Sequence, residues 1–219
     1  NGTGLARTTA FTADDPTGRY IHYGIREHAM GSALVGMARH GGTLPISGTF
    51  FVFADYMRPP IRLAALSNAK CCFVFTHDSV GVGEDGPTHQ PVEHLATLRA
   101  MPNLHVIRPA DGNETIHAWA DVVRHDGPSV LVLSRQNIRV TTDGSAVERG
   151  AGIVTDSDDA PRVVLVGTGS EVEVCVDAAA ALNERGIAAR AVSLPKRARN
   201  SASARDRCCS GSWLEPRLR

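Results

Sequence analysis

The sequence predicts an α/β fold: a mostly parallel sheet with helices on both faces, followed by an incomplete second α/β domain. Short apolar runs alternate with amphipathic stretches of helical length from about residue 19 to residue 135. The connections between them are short, as in βα repeats, and such repeats stack strands in parallel. After a polar interval, a strand–helix–strand pattern resumes over residues 162–194.

Taken in order, YIHYG reads as a strand and REHAMGSALVGMARHG as the helix after it. TLPISGTF is strand-like and leads into a helical stretch from about Phe50 to Leu66. KCCFVFTH is a strand, PVEHLATLRAM a helix, LHVIRP a strand, NETIHAWADVVRH a helix and SVLVLSR a strand. Ligands in such sheets bind at the carboxyl ends of the strands. Residues 141–161, TTDGSAVERGAGIVTDSDDAP, read as a linker. In residues 162–194 the turn GTGS could offer N–H groups to an anion, but it is too short for a GxGxxG fingerprint and a plain tight turn accounts for it better. From residue 195 to 219 the chain is Arg- and Ser-rich without apolar period, as expected of a disordered or frame-shifted tail.

Composition narrows the function. Lys plus Arg number 23 and Asp plus Glu number 23, so no bulk charge recruits nucleic acid or a membrane surface. Apolar residues make up 42%, enough for a core, and no apolar run is long enough to span a bilayer. The five cysteines form no CxxC pair, and Cys71 and Cys72 lie in an apolar run, a pattern that fits a reducing, cytoplasmic setting. The polar, turn-rich opening at Asn1 reads as though it begins in mid-domain, as in a fragment or one subunit of a larger whole.

Four motifs follow predicted strands. In GIREHAMG, Glu27 falls in the first turn of a helix, where an acid is ordinary but could also share a proton with a ligand nitrogen. In TFFVFADY, Phe50, Phe53 and Tyr56 recur every third residue along one helical face, a core stripe or a wall for a flat heterocycle. HDSVGVGEDGPTHQP, residues 77–91, holds two histidines, three acids and three glycines with neither helical nor strand period. Glycines let such a loop fold tightly at the ligand edge, and His77, Asp85 and His89 suit hydrogen bonding to a polyhydroxylated substrate. Their spacing matches no standard zinc or calcium loop, so no metal is assigned to them. Arg135, in SRQN at the end of a strand, can fork onto a phosphate or form a surface ion pair.

GIREHAM, TFxxFxDY, HDSxGxGEDGPTHQP and SRQN, in this order across residues 19–194, resemble transketolase. The resemblance implies a thiamine-diphosphate pyrimidine-binding fold over residues 1–140 and the start of the family's C-terminal domain over 162–194. It implies thiamine diphosphate as cofactor, held between two subunits, with a divalent metal such as Mg2+ and the diphosphate on the other subunit's first domain. Glu27 would face the pyrimidine ring nitrogen, with Phe50, Phe53 and Tyr56 around that ring. His77, Asp85 and His89 would line the sugar channel, with His77 and His89 assisting catalysis, and Arg135 would bind the sugar phosphate. The implied reaction moves a two-carbon ketol unit from a ketose phosphate to an aldose phosphate. No GDG…N diphosphate and metal motif occurs in this sequence, so the chain is expected to be inactive without a diphosphate-binding partner or homodimer mate that carries one. The rival readings are a non-catalytic remnant or dimerisation module, and a component of dihydroxyacetone synthase, deoxyxylulose-phosphate synthase or a 2-oxo acid dehydrogenase.

Overall fold

A computed structural model describes residues 8–196. Its first sheet is parallel and four-stranded, built from β1 (Ile46–Phe50), β2 (Cys72–Thr76), β3 (His105–Ile107) and β4 (Ser129–Val132) in the order β1-β2-β4-β3. Every residue of β4 is buried, as are Cys72, Phe73 and Phe75 of β2. Their apolar stretches, residues 72–75 and 130–132, suit strands covered on both faces.

Helices supply both covers. Leu34 and Val35 of α1 (Glu27–His40), Met57 and Ile61 of α2 (Ala54–Leu66) and Leu98 of α3 (His94–Arg99) pack on Phe73, Phe75, Val130 and Val132. Ala118 and Val122 of α4 (Gly112–Arg124) and Val147 of α5 (Ala146–Arg149) pack on Cys72, Ile107 and Leu131 from the other side. Cys71 and Cys72 are core residues, and burial pushes both thiols up to about 12, so neither is a nucleophile at neutral pH.

Helices α1 and α2 meet where Gly31 faces Pro60. A Cβ on Gly31 would lie 2.8 Å from Pro60 Cγ and 3.1 Å from Met57 Cε. Gly31→Ala should therefore lower stability by about 1–2 kcal/mol in urea titrations, overpacking outweighing the gain in helix propensity.

The expected strand YIHYG does not form. Tyr20 makes one isolated bridge to Ala10, and the chain then runs mostly exposed, Tyr23 excepted, to Ile25, which is 93% accessible. Among the described residues no neighbouring strand completes a ladder, so its alternation has nothing to bury against. Residues 141–161 are more than a linker: they contain α5 and β5 (Gly152–Thr155). Strand β5 pairs antiparallel with β7 (Ala189–Ser193), and β6 (Val163–Gly167) pairs parallel with β7. This second sheet, ordered β5-β7-β6, is lined by α6 (Glu171–Glu184). The loop into α5 is pinned by Asp111, whose Oδ2 accepts from the N–H groups of Thr141 at 2.8 Å and Thr142 at 2.7 Å. Of the expected tail, Pro195 and Lys196 dock on β3, the Pro195 carbonyl accepting from Arg108 N at 2.8 Å. The remainder, 197–219, lies outside the described residues. Among the described residues, no helix is long and apolar enough to cross a membrane.

Candidate functional site

The carboxyl ends of β1, β2 and β4 carry the site. Phe50 closes β1 and His77 directly follows β2, and the register that pairs Phe50 with Thr76 sets them side by side. Their rings stack at 3.6 Å between centroids with an interplanar angle of 16°. His77 holds this place with φ at 61°, a left-handed conformation that costs a residue with a Cβ and persists only where neighbours enforce it.

The aromatic motif does not lie on one helix. Phe50 ends a strand, Phe53 sits in a 3₁₀ turn over Phe51–Phe53, and Tyr56 is in α2. The chain changes direction within the motif because Phe51 must plunge into the core, where it is 1% exposed. The result is still a row: Phe50 to Phe53 and Phe53 to Tyr56 are each 6.1 Å between centroids. His89, at the end of a 3₁₀ turn over Pro87–His89, presents its edge to Phe53 at 5.5 Å and to Phe50 at 6.3 Å. Both histidines thus meet the same aromatic surface from different parts of one loop.

Charge surrounds His77 from two elements. Burial holds its imidazole below the ordinary value; Asp85 pulls it upward and Arg135, beyond β4, pushes it down. A neutral ring at pH 7 can donate from one nitrogen and accept at the other, and Nδ1 is 3.0 Å from Thr76 Oγ1. Arg135 is about half exposed, and its only ion pair among the described residues is a 4.0 Å contact with the exposed Glu84. So loose a surface pair leaves the guanidinium free to take an anion. Glu27 stands half-buried in the first turn of α1. No ring contact, hydrogen bond or ion pair ties it to the aromatic row, and nearby Arg26 instead donates Nη1–H to the Tyr23 carbonyl at 3.0 Å.

The residues fit a flat heterocycle in part. The half-open row Phe50–Phe53–Tyr56 offers stacking faces, and Glu27 is a carboxylate with no protein partner among the described residues. One acid–histidine cluster lies nearby. His94 Nε2 is 3.2 Å from Asp55 Oδ2, and its Nδ1 is 4.0 Å from Glu93 Oε2, so the two carboxylates face different ring nitrogens.

Sequence reasoning missed the support beneath the loop. Asp78 is buried, and its Oδ2 accepts from Arg108 Nε at 2.7 Å and Ser134 Oγ at 3.1 Å. Gln136 packs against Gly81, where a Cβ would approach its Nε2 to 3.0 Å. Arg108 had a readable signal, since it follows a strand just as Arg135 does. Its partner lies in another repeat, which no local pattern reveals. The turn GTGS likewise receives Arg108 rather than presenting a free anion cradle.

Comparison with known proteins identifies the family. The profile described as "Transketolase, pyrimidine binding domain" matches residues 1–141, and that for the "Transketolase-like TK C-terminal domain" matches residues 150–207. A transketolase of Aquifex aeolicus is 52% identical over 191 residues, covering 84% of this chain and 28% of its own length. One of Bacillus subtilis is 51% identical over 202 residues, covering 89% and 30%. The solved transketolase of Leishmania mexicana superposes with a TM-score of 0.85 at 45% identity, covering 91% of this chain and 30% of its own. The chain therefore spans less than a third of these relatives, and over that span it belongs to the transketolase family, carrying its pyrimidine-binding domain and part of its C-terminal domain.

Proposed function

We propose that this chain contributes the pyrimidine-binding and sugar-binding half of a transketolase site, which transfers a two-carbon ketol unit between sugar phosphates. The observation that carries the reading is the stack of His77 on Phe50, continued through Phe53, Tyr56 and the edge of His89. Thiamine diphosphate, when bound with its divalent metal, supplies the carbon that accepts and releases the two-carbon unit.

The chain's own residues hold and orient. Phe50, Phe53 and Tyr56 stack on the aminopyrimidine and keep water from its faces. Glu27 meets a ring nitrogen and holds a proton there. His77, neutral at pH 7, and His89 hydrogen-bond substrate oxygens as charge develops on them. Asp85 accepts from sugar hydroxyls, and Arg135 takes the phosphate on its planar fork. The diphosphate and metal are assigned to a first domain carried elsewhere, in a second subunit of a homodimer or a partner chain.

The test is reconstitution. The 219-residue chain assayed by itself should bind cofactor weakly and turn nothing over. Mixed with a diphosphate-binding half, thiamine diphosphate and Mg2+, it should transfer ketol units from a ketose phosphate to an aldose phosphate. A properly assembled complex without transfer would refute the reading, and pyruvate decarboxylation in its place would move the chain to another thiamine enzyme. In the active complex, Arg135→Ala should raise KM for phosphorylated sugars about tenfold or more. It should leave the KM of unphosphorylated acceptors nearly unchanged, since a lost charged hydrogen bond is worth about 1.5–3 kcal/mol.

A further inference from the structure

We infer that Arg108 is a positioning residue through which the second α/β unit holds the His77 loop in its working place; the inference rests on the functional reading above for its meaning, though not for its test. Arg108 follows β3 and its side chain is only 6% exposed. Nε donates to Asp78 Oδ2 at 2.7 Å. Nη1 donates to the Thr168 carbonyl at 2.8 Å and also to Glu171 Oε2. Nη2 donates to Glu171 Oε1 at 3.1 Å. One planar fork thus spans Asp78, beside the candidate site, and the first turn of α6 in the second unit.

The fit is tight on both sides. Gly169 turns at φ 60°, and a Cβ there would come within 2.5 Å of Arg108 Nε. Gly169 N donates to the Arg108 carbonyl at 3.3 Å, and Arg99 Nη2 reaches Thr168 Oγ1 at 3.1 Å. On the loop side, the Asp78 side chain is fully buried, shared between Arg108 and Ser134. Its neighbour His77 sits in the left-handed region, a conformation that needs external restraint. Locking the residue directly after it supplies that restraint. The charged groups facing His77 are Asp78, Asp85 and Arg135, so a shift of the Asp78 anchor acts on His77 through both backbone and field.

The experiment uses the full chain with labelled histidine rings. His77, stacked on Phe50 at 3.6 Å, should show upfield ring-proton resonances from the phenyl ring current. Glu171→Ala removes a half-exposed carboxylate from the far side of the fork. Arg108→Lys keeps the charge but cannot span both acids. Both should move the His77 resonances beyond the line width while exposed His40 stays put, and both should raise the cleavage rate of residues 77–91 by a protease several-fold. Where Arg108→Lys fails to fold, Glu171→Ala decides alone. In the reconstituted complex, Glu171→Ala should also lower kcat/KM for sugar phosphates on the order of tenfold, with cofactor affinity unchanged. Unmoved His77 resonances and unchanged loop cleavage in folded Glu171→Ala would overturn the inference. A wild-type complex without ketol transfer would instead sink the functional reading and leave the resonance comparison standing.

Discussion

Glu27→Ala, in a complex that carries the diphosphate-binding half, should lower kcat about 10²- to 10⁴-fold, the usual worth of a positioned proton-transfer group. Glu27→Gln should do nearly as much harm, because it keeps the size of the side chain but cannot hold the shared proton. Glu27 opens α1, where the helix N-terminus favours a carboxylate, and no side chain among the described residues neutralises it. Arg26, the nearest cation in sequence, is turned to the Tyr23 carbonyl instead. A carboxylate held at the mouth of a helix without a protein partner is poised for a ligand nitrogen. Steady-state rates at saturating cofactor check this, and a rate unchanged in Glu27→Ala would remove the proton role.

Asp121→Ala should cost about 3–5 kcal/mol of stability, because it strips an acceptor from two buried cations or potential cations at once. Asp121 Oδ2 accepts from Lys196 Nζ at 2.6 Å and from His105 Nε2 at 2.6 Å. Lys196 and His105 are 7% and 6% exposed, so neither can turn to bulk water for compensation. Burial pushes the Asp121 carboxyl up, but the bonds from His105 and Lys196 outweigh it and hold the group far below the usual carboxylate range. A carboxyl depressed on folding stabilises above its unfolded value and loses that contribution progressively as pH falls from the unfolded value through the depressed one. Urea titrations should show the gap between wild type and Asp121→Ala nearly constant from pH 7 to pH 5. It should narrow progressively below about pH 4, where the unfolded chain takes up the proton first. Lys196→Met, which removes the charge and keeps the apolar stem, should cost less than Asp121→Ala, since His105 keeps its acceptor.

The layers of the first domain were readable because its core strands are apolar throughout and its helices carry a clear period. KCCFVFTH and SVLVLSR read as buried strands and NETIHAWADVVRH as an amphipathic cover, and each forms that element. YIHYG misled because alternation alone cannot reveal whether a partner strand exists. The stretch 141–161 misled in the opposite sense: GIVT is too short and too poorly flanked to declare itself, and becomes a strand only because β7 offers an edge. Phe50, Phe53 and Tyr56 form one row, but on a strand end, a 3₁₀ turn and a helix rather than on one helical face, because a spacing of three fits a helix and a strand-to-turn corner alike.

By itself the sequence determined the parallel α/β layering, the four motifs and the family they mark. These are written in local pattern and in residue type. Only the tertiary structure decided that His77 lies flat on Phe50, that Asp78 is clamped by Arg108, and that Arg108 in turn reaches Glu171 in the second unit. The reason is physical. Local propensity and period are set by neighbours along the chain. The direction of a guanidinium fork or an imidazole plane is set by which strands the sheet order makes adjacent, and the order β1-β2-β4-β3 joins segments far apart in sequence.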